Sequence, residues 1–275
     1  MDLTIVFGYI GALFVGITLG LIGSGGSILS LPIFVYLFGL NPVLASAYSL
    51  FTVGLTSLIG SIKNIKLKLI DVNTVLYFSF SAAISVYITR KYLIDLIPDE
   101  IISLGWLTIT KEKFLMLFFA VLIYFAGIAM IKKRKDTSQN QRRKSKYDKA
   151  LILLEGSVVG FITGLVGAGG GFIIIPVLVL FSKLNMKNAI ATSLVIISIK
   201  SLIGFIGDIE NLDIDWLFLI KFSLISIIGI FIGQAIGLKI DGSKLKKGFG
   251  YFIIIIASLV IVKEIFYPDL SLKTP

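Results

Sequence analysis

The chain has no cysteine and no histidine among its 275 residues, only six prolines, and a charge at just 15% of positions. Without cysteine there is no disulfide, no thiolate nucleophile and no cysteine-ligated zinc. Without histidine the side chain that ordinarily titrates near neutral pH is missing, and with it any histidine proton relay. The apolar runs also hold no close pair of carboxylates, so general acid–base or metal-assisted chemistry lacks its parts. The sequence therefore reads as a protein that is not an enzyme and needs no cofactor or metal.

What is abundant is hydrocarbon. Hydrophobic residues make up 56% of the chain, against about 45–50% apolar and about 25% charged in an ordinary soluble domain. A soluble core of this size cannot hide the excess, and the expectation is an all-α integral membrane protein. The opening "MDLTIVFGYIGALF" has no basic leader and no small-residue cleavage pattern, so it reads as a retained first span. The net charge of +10 is concentrated between apolar runs, above all in "KKRKDTSQNQRRKSKYDK" from Lys132 to Lys149. A basic cluster beside a membrane span marks the cytoplasmic face. It implies contact with anionic lipids and not with nucleic acid.

Sliding the chain by 144 residues aligns Gly16–Asn64 with Gly160–Asp208 without a gap. Gly16/Gly160, Gly20/Gly164, Gly23/Gly167, Gly25/Gly169, Gly26/Gly170, Pro32/Pro176, Asn41/Asn185 and Ser49/Ser193 are identical, and Ser-Leu-Ile-Gly recurs at 57–60 and 201–204. Apolar composition alone exchanges leucine for isoleucine but does not keep glycine, proline and asparagine in step. The chain reads as a duplication, with one unit at 1–131, a basic linker at 132–149 and a second unit at 150–275. Each unit has five apolar segments: 3–22, 27–40, 43–62, 72–90 and 114–131, then 150–167, 171–182, 188–207, 216–238 and 248–263. A full span takes about 20 residues, so the second segment of each unit is short.

With the linker cytoplasmic, Lys63, Lys66, Lys68, Lys183, Lys187, Lys239, Lys244, Lys246 and Lys247 all count as inside, while "GDIENLDID" falls outside. This works only if the short segments cross the membrane. Five crossings per unit, an odd number, turn the second unit upside down relative to the first and put both termini outside the cell membrane. Inverted repeats with matched, glycine-interrupted short helices are an architecture of secondary transporters, and the interruption points to the substrate site.

The short segments follow "GLIGSGGSIL" and "GLVGAGGGFI" directly. Gly23, Ser24, Gly25, Gly26 and Ser27 in one copy, and Gly167, Gly169, Gly170 and Gly171 in the other, thus stand at helix N-termini. Free backbone N–H groups there carry partial positive charge and bind anions. The competing reading is close helix packing, which suits Gly16, Gly20, Gly160 and Gly164. Hydroxyls add donors: Tyr48 and Ser49 in the first unit, Thr192 and Ser193 in the second, with Ser46, Thr52, Ser57, Ser198 and Ser201 nearby. Lys200 lies mid-span, where a cation is costly and marks a functional site by default. It is either the counter-charge of a bound anion, a partner of Glu155, or a side chain reaching a vestibule near Asp208. Glu155, an acid within a span, is a candidate for proton coupling or a cap on the inner vestibule. Trp106 and Trp216 suit interfacial anchors.

These residues resemble the TauE/SafE-type sulfite exporters, also called the 4-toluene sulfonate uptake permease family. The resemblance is carried by "GLIGSGGSILSLP", "GLVGAGGGFIIIPVLVL" and "NMKNAIATSLVIISIKSLIGFIGDI", and it covers the chain outside the basic linker. It implies a bacterial-type inner-membrane carrier of sulfite, sulfonates or other small sulfur-containing anions. Gly167, Gly169, Gly170 and Gly171 match the family's glycine cluster, and Ala191-Thr192-Ser193-Leu194 its small-Thr-Ser-Leu stretch. The first unit departs from the pattern, with Tyr48 where the second has Thr192, and with Ser24 and Ser27 breaking the glycine run. The expected function is proton-coupled transport of a small anion by alternating access, with a passive anion channel, and behind it a membrane-embedded enzyme or scaffold, as the alternatives.

Overall fold

A computed structural model describes residues 3–23, 25–104, 107–131, 148–180, 182, 184, 186–237 and 242–266. Ser24, Trp106, Lys183, Asn185, Lys239 and most of the basic linker lie outside the described residues. Ten helices account for nearly all of the rest. They are α1 (Leu3–Ile22), α2 (Gly26–Tyr36), α3 (Pro42–Lys66), α4 (Val72–Leu96), α5 (Lys111–Ile131), α6 (Asp148–Val166), α7 (Gly171–Leu180), α8 (Met186–Ile209), α9 (Trp216–Gly237) and α10 (Gly242–Phe266). Among the described residues, seven helices are long and apolar enough to cross a membrane. In hydrocarbon every backbone polar group has to be satisfied within the chain, which is why the apolar runs fold as helices.

Local chemistry sets the helix starts. Pro42 sits in the first turn of α3, and the Asn41 side chain accepts the Val43 N–H at 2.8 Å. Asp71 caps α4 through the Thr74 N–H at 2.9 Å, and Asp215 caps α9 through the Phe218 N–H at 3.0 Å. Such caps satisfy donors that the first helical turn leaves free.

The structure differs from the sequence expectation in four places. The short helices are shorter than 27–40 and 171–182: α2 has 11 residues and α7 has 10, or about 15–16 Å at 1.5 Å per residue. α4 does not end near residue 90 but continues through a π-helical stretch, Thr89–Leu93. An unexpected antiparallel hairpin, β1 (Glu100–Leu104) and β2 (Leu107–Thr110), joins α4 to α5. Finally, Asp208 is not a loop residue: it lies within α8 and is 3% exposed.

Contacts between helices fix their relative directions. Ser226 Oγ donates to the Ala12 carbonyl at 2.9 Å, and Gly16, Gly20 and Gly237 lie against Gly229, Gly233 and Leu21 in rising order, so α1 and α9 run parallel. Gly156, Gly160 and Gly164 lie against Phe78, Ala82 and Val86, so α6 runs parallel to α4. α3 follows α9, with Ser223 bonded to Thr52 at 3.3 Å and Gln234 to the Gly60 carbonyl at 2.7 Å. α8 follows α4 through Gly204 on Val86 and Asp208 on Arg90. α3 and α8 cross in opposite senses, the ring of Phe51 on Phe205 at 5.0 Å and Gly54 on Leu202. α2 folds back along α1, Gly26 beside Val15 and Ile33 beside Gly11.

Relative to α1, therefore, α3 and α9 point the same way, and α2, α4, α6 and α8 point the other way. α1 and α3 share a direction, as do α6 and α8, so the chain has to return between them. The short helices and their flanking turns make that return. The glycines assigned above to packing do pack: a side chain at Gly16 would collide with the Ser226 carbonyl, and one at Gly160 with the Ala82 carbonyl.

Candidate functional site

α1 and α6 both end on a glycine in the left-handed region, Gly23 at φ 74° and Gly167 at φ 66°. A β-carbon disfavours that conformation, and glycine does not. Neither turn has room for a side chain, which would strike Ile190 at Gly23 and Ser46 at Gly167. The chain then restarts as α2 and α7, and the two starts face each other at the middle of the bundle. A β-carbon on Gly169 would come within 3.3 Å of the Ser27 β-carbon and would press on Val53, near the midpoint of α3.

Lys200 joins this point from α8. Its side chain is fully buried, its Nζ donates to Thr163 Oγ1 at 2.8 Å, and it lies 3.2 Å from where a β-carbon on Gly170 would be. Gly170 is left-handed too, at φ 66°, and its carbonyl accepts the Ile173 and Ile174 N–H groups at 3.0 and 3.1 Å. The first N–H groups of a helix have no partner inside it. Ser27, Gly169, Gly170 and Lys200 are thus brought together, with Gly171 as the first residue of α7 and Gly25 and Gly26 buried at the start of α2.

Lys200 is not paired with a carboxylate. Among the described residues the ion pairs are Arg90–Asp208 and Lys91–Glu210. Glu155 lies eight residues before Thr163 on α6, about 12 Å along the axis. It is 8% exposed and its two carboxylate oxygens have no hydrogen-bond partner among the described residues. Lys200 does not reach an open vestibule near Asp208 either: it is fully buried and its Nζ is bonded to Thr163.

The hydroxyls divide into two groups. Ser49 Oγ lies 2.6 Å from Ser30 Oγ on α2, and Ser193 Oγ donates to the Ile190 carbonyl at 2.9 Å while standing 3.4 Å from the Gly23 carbonyl. Both are fully buried beside the broken helices. Tyr48 and Thr192 are placed differently. Tyr48 Oη accepts the Asp215 N–H at 2.6 Å and Thr192 Oγ1 accepts the Asp71 N–H at 3.1 Å. These hydroxyls brace the residues that cap α9 and α4. The phenol ring of Tyr48 packs on Phe34 and Phe218.

Three residues at the centre, Thr163, Ser30 and Thr56, carry no distinctive sequence signal: Thr163 holds Lys200 and Ser30 holds Ser49. The buried hydroxyl of Thr56, like those of Ser57 and Ser201 expected above, has no hydrogen-bond partner among the described residues. Thr56 is the residue 144 positions before Lys200, and Ser57 the one 144 before Ser201, so hydroxyl and ammonium groups line equivalent faces of α3 and α8. Chemically, the centre offers one buried cation, amide donors at a helix start and spare hydroxyls. No carboxylate among the described residues lies within ion-pair distance of the cation. A cation, free amides and hydroxyls are together the donor set that can hold an anion by hydrogen bonds.

The comparisons with known proteins identify the family of the chain. A model of the sulfite exporter TauE/SafE family matches residues 9–260. The chain is 27% identical over 255 residues to a probable membrane transporter protein of Xylella fastidiosa, covering 90% of this chain and 91% of that one. It is 28% identical over 251 residues to a probable membrane transporter protein of Methanocaldococcus jannaschii, covering 88% and 86%. It is 23% identical over 268 residues to the probable membrane transporter protein YunE of Bacillus subtilis, covering 90% and 93%. No solved structure matches it. A multi-pass bundle with two broken helices, matched by the family model over nearly its whole length, belongs to the TauE/SafE sulfite exporter family of membrane transporters.

Proposed function

We propose that this protein is a secondary transporter of a small oxyanion or organosulfonate, working by alternating access between two inverted five-helix halves. The observation that carries the reading is Lys200, a fully buried ammonium with a neutral hydroxyl partner, set against the Gly170 turn at the start of α7. A charge that deep in a membrane protein is costly without compensation. A bound anion supplies it, and the amides of α7 add the donors. Ser27 at the tip of α2 closes the site from the opposite side.

Support for the inverted halves comes from helix directions. Each helix pair related by the 144-residue shift whose sense is fixed by contacts, α1/α6, α3/α8 and α4/α9, runs in opposite senses. The packing partners exchange in the same way: α1 lies on α9 as α6 lies on α4, and α3 on α9 as α8 on α4. The basic linker favours the cytoplasmic side for the α5–α6 connection in an inner membrane, which puts both termini outside. Glu155 is the candidate for the coupling proton, a buried carboxyl with unpartnered oxygens on the helix that carries Thr163.

Flux into sealed proteoliposomes tests the reading. Sulfite, thiosulfate, sulfate, taurine and a carboxylate control are offered with and without an imposed proton gradient. The expected result is accumulation of a sulfur oxyanion or sulfonate above equilibrium, lost on adding a proton ionophore. Flux that only follows the anion's own gradient makes the protein a channel, and turnover of the substrate to a new product makes it an enzyme.

A further inference from the structure

At one end of the bundle four helices meet on a single guanidinium. Arg90 on α4 is 1% exposed; its Nε is 2.8 Å from both carboxylate oxygens of Asp208 on α8, and its Nη2 is 2.7 Å from Oδ2. Its Nη1 donates to Ser46 Oγ on α3 at 2.8 Å and to the Gly164 carbonyl on α6 at 3.4 Å. Two further links tie the same helix ends, Lys91 to Glu210 at 3.0 Å and Asn211 to Asp95 at 2.8 Å.

The 144-residue relation extends to this place. Gly164 lies against Val86 and takes a bond from Arg90; its counterpart Gly20 lies against Ile230, the counterpart of Val86, and against Gln234, the counterpart of Arg90. Asp208 corresponds to Asn64. At that other end the equivalent connection is one neutral hydrogen bond, Gln234 Nε2 to the Gly60 carbonyl at 2.7 Å. Between the two ends Ser27, Ser49, Ser193 and Lys200 are all 0% exposed, so the centre is closed from both sides.

We infer that Arg90 and Asp208 form a charged gate at one end of the transport pathway, that Gln234 and Gly60 form its neutral counterpart at the other, and that the Gln234 end therefore opens more readily. Parting Arg90 from Asp208 breaks several charge-assisted hydrogen bonds, each stronger than a neutral one, whereas parting Gln234 from Gly60 breaks a single neutral bond. The charged gate is also coupled to the centre. Arg90 grips α6 at Gly164, the residue next to Thr163, which holds Lys200. The proposal rests on the transporter reading for its biological sense, but its test uses no substrate.

The chain contains no cysteine, so single reporters are unambiguous. Ser201→Cys lies on α8 toward the Arg90 end, and Ser57→Cys lies on α3 toward the Gln234 end. The rate of modification by a membrane-impermeant thiol reagent is measured from each face of oriented vesicles. The Ser57→Cys reporter is expected to react faster, and from one face only. Adding Arg90→Gln with Asp208→Asn gives the charged gate the composition of the neutral one, and modification of the Ser201→Cys reporter should rise about tenfold or more, from the opposite face. Adding Gln234→Arg with Asn64→Asp should slow modification of the Ser57→Cys reporter. If the double neutralisation does not assemble, Ser46→Ala, which removes a single bond to Arg90, should raise modification of the Ser201→Cys reporter in the same direction. Equal rates at the two reporters, or rates that do not respond to these changes in inserted, monodisperse protein, overturn the proposal. Wild-type protein that carries no anion in proteoliposomes, with the labelling pattern as expected, would instead count against the anion reading alone.

Discussion

Replacing Lys200 with methionine is expected to abolish or strongly weaken anion transport while leaving the protein as stable as before, or more stable. The two halves of that expectation come from the same fact. Lys200 is buried in full with one hydroxyl partner, Thr163, so its ammonium carries a desolvation penalty that no carboxylate among the described residues offsets. Methionine fills a similar volume without the charge and removes the penalty. Had Lys200 been half of a structural ion pair, its removal would cost about 3–5 kcal/mol and the protein would melt early. Its loss takes from a bound anion one charge-assisted hydrogen bond, worth roughly 1.5–3 kcal/mol, or about a 10- to 150-fold drop in affinity. The checks are flux in proteoliposomes and a thermal melt with and without anion. Wild-type protein should be stabilised by the transported anion, and the Lys200→Met variant should show no such shift. A variant that transports normally removes Lys200 from the site.

The second large effect is expected at Gly169. Its backbone is not left-handed, in contrast to Gly167 and Gly170, so alanine adds a methyl group without backbone strain. That methyl would point between the two broken helices, onto Val53 and within 3.3 Å of the Ser27 β-carbon. Gly169→Ala should lower flux about tenfold or more, equivalent to at least ~1.4 kcal/mol at the site, and Gly169→Val should eliminate it. Gly170 is the less informative target, because any side chain there combines a left-handed backbone with a collision against Thr163 and tests folding as much as binding. Gly248→Ala provides the neutral comparison, since nothing lies within 4 Å of the added carbon. Wild-type flux from Gly169→Ala would place the pathway elsewhere.

How much of this could be read from the residues depended on the kind of signal each left. The broken helices were legible because glycine clusters followed by truncated apolar segments have a local cause: left-handed turns at Gly23 and Gly167 that a side chain would spoil. The packing role of Gly16 and Gly160 was legible for the same reason, small residues at helical spacing. The sites of Tyr48 and Thr192 were not. Their position in the repeat is equivalent, but whether a hydroxyl faces a pathway or accepts a backbone N–H depends on residues far along the chain, here Asp215 and Asp71. Arg90 was hidden for a similar reason. Beside Lys91 and at the end of an apolar run it resembles an ordinary flanking charge, and only the fold brings it to Asp208 across 118 positions. The same pairing explains why Asp208, grouped with an acidic loop by composition, remains helical and buried.

The account depends on an anion lying between the starts of α2 and α7, and locating one there is the most direct test. An experimental structure with selenite or selenate, whose selenium is identifiable by anomalous scattering, should place the anion within hydrogen-bond reach of Lys200 Nζ and the amides of residues 169–171, opposite Ser27. Selenium found only at the protein surface, or a centre where Lys200 stays bonded to Thr163 and lipid chains separate Ser27 from Gly169, would contradict it.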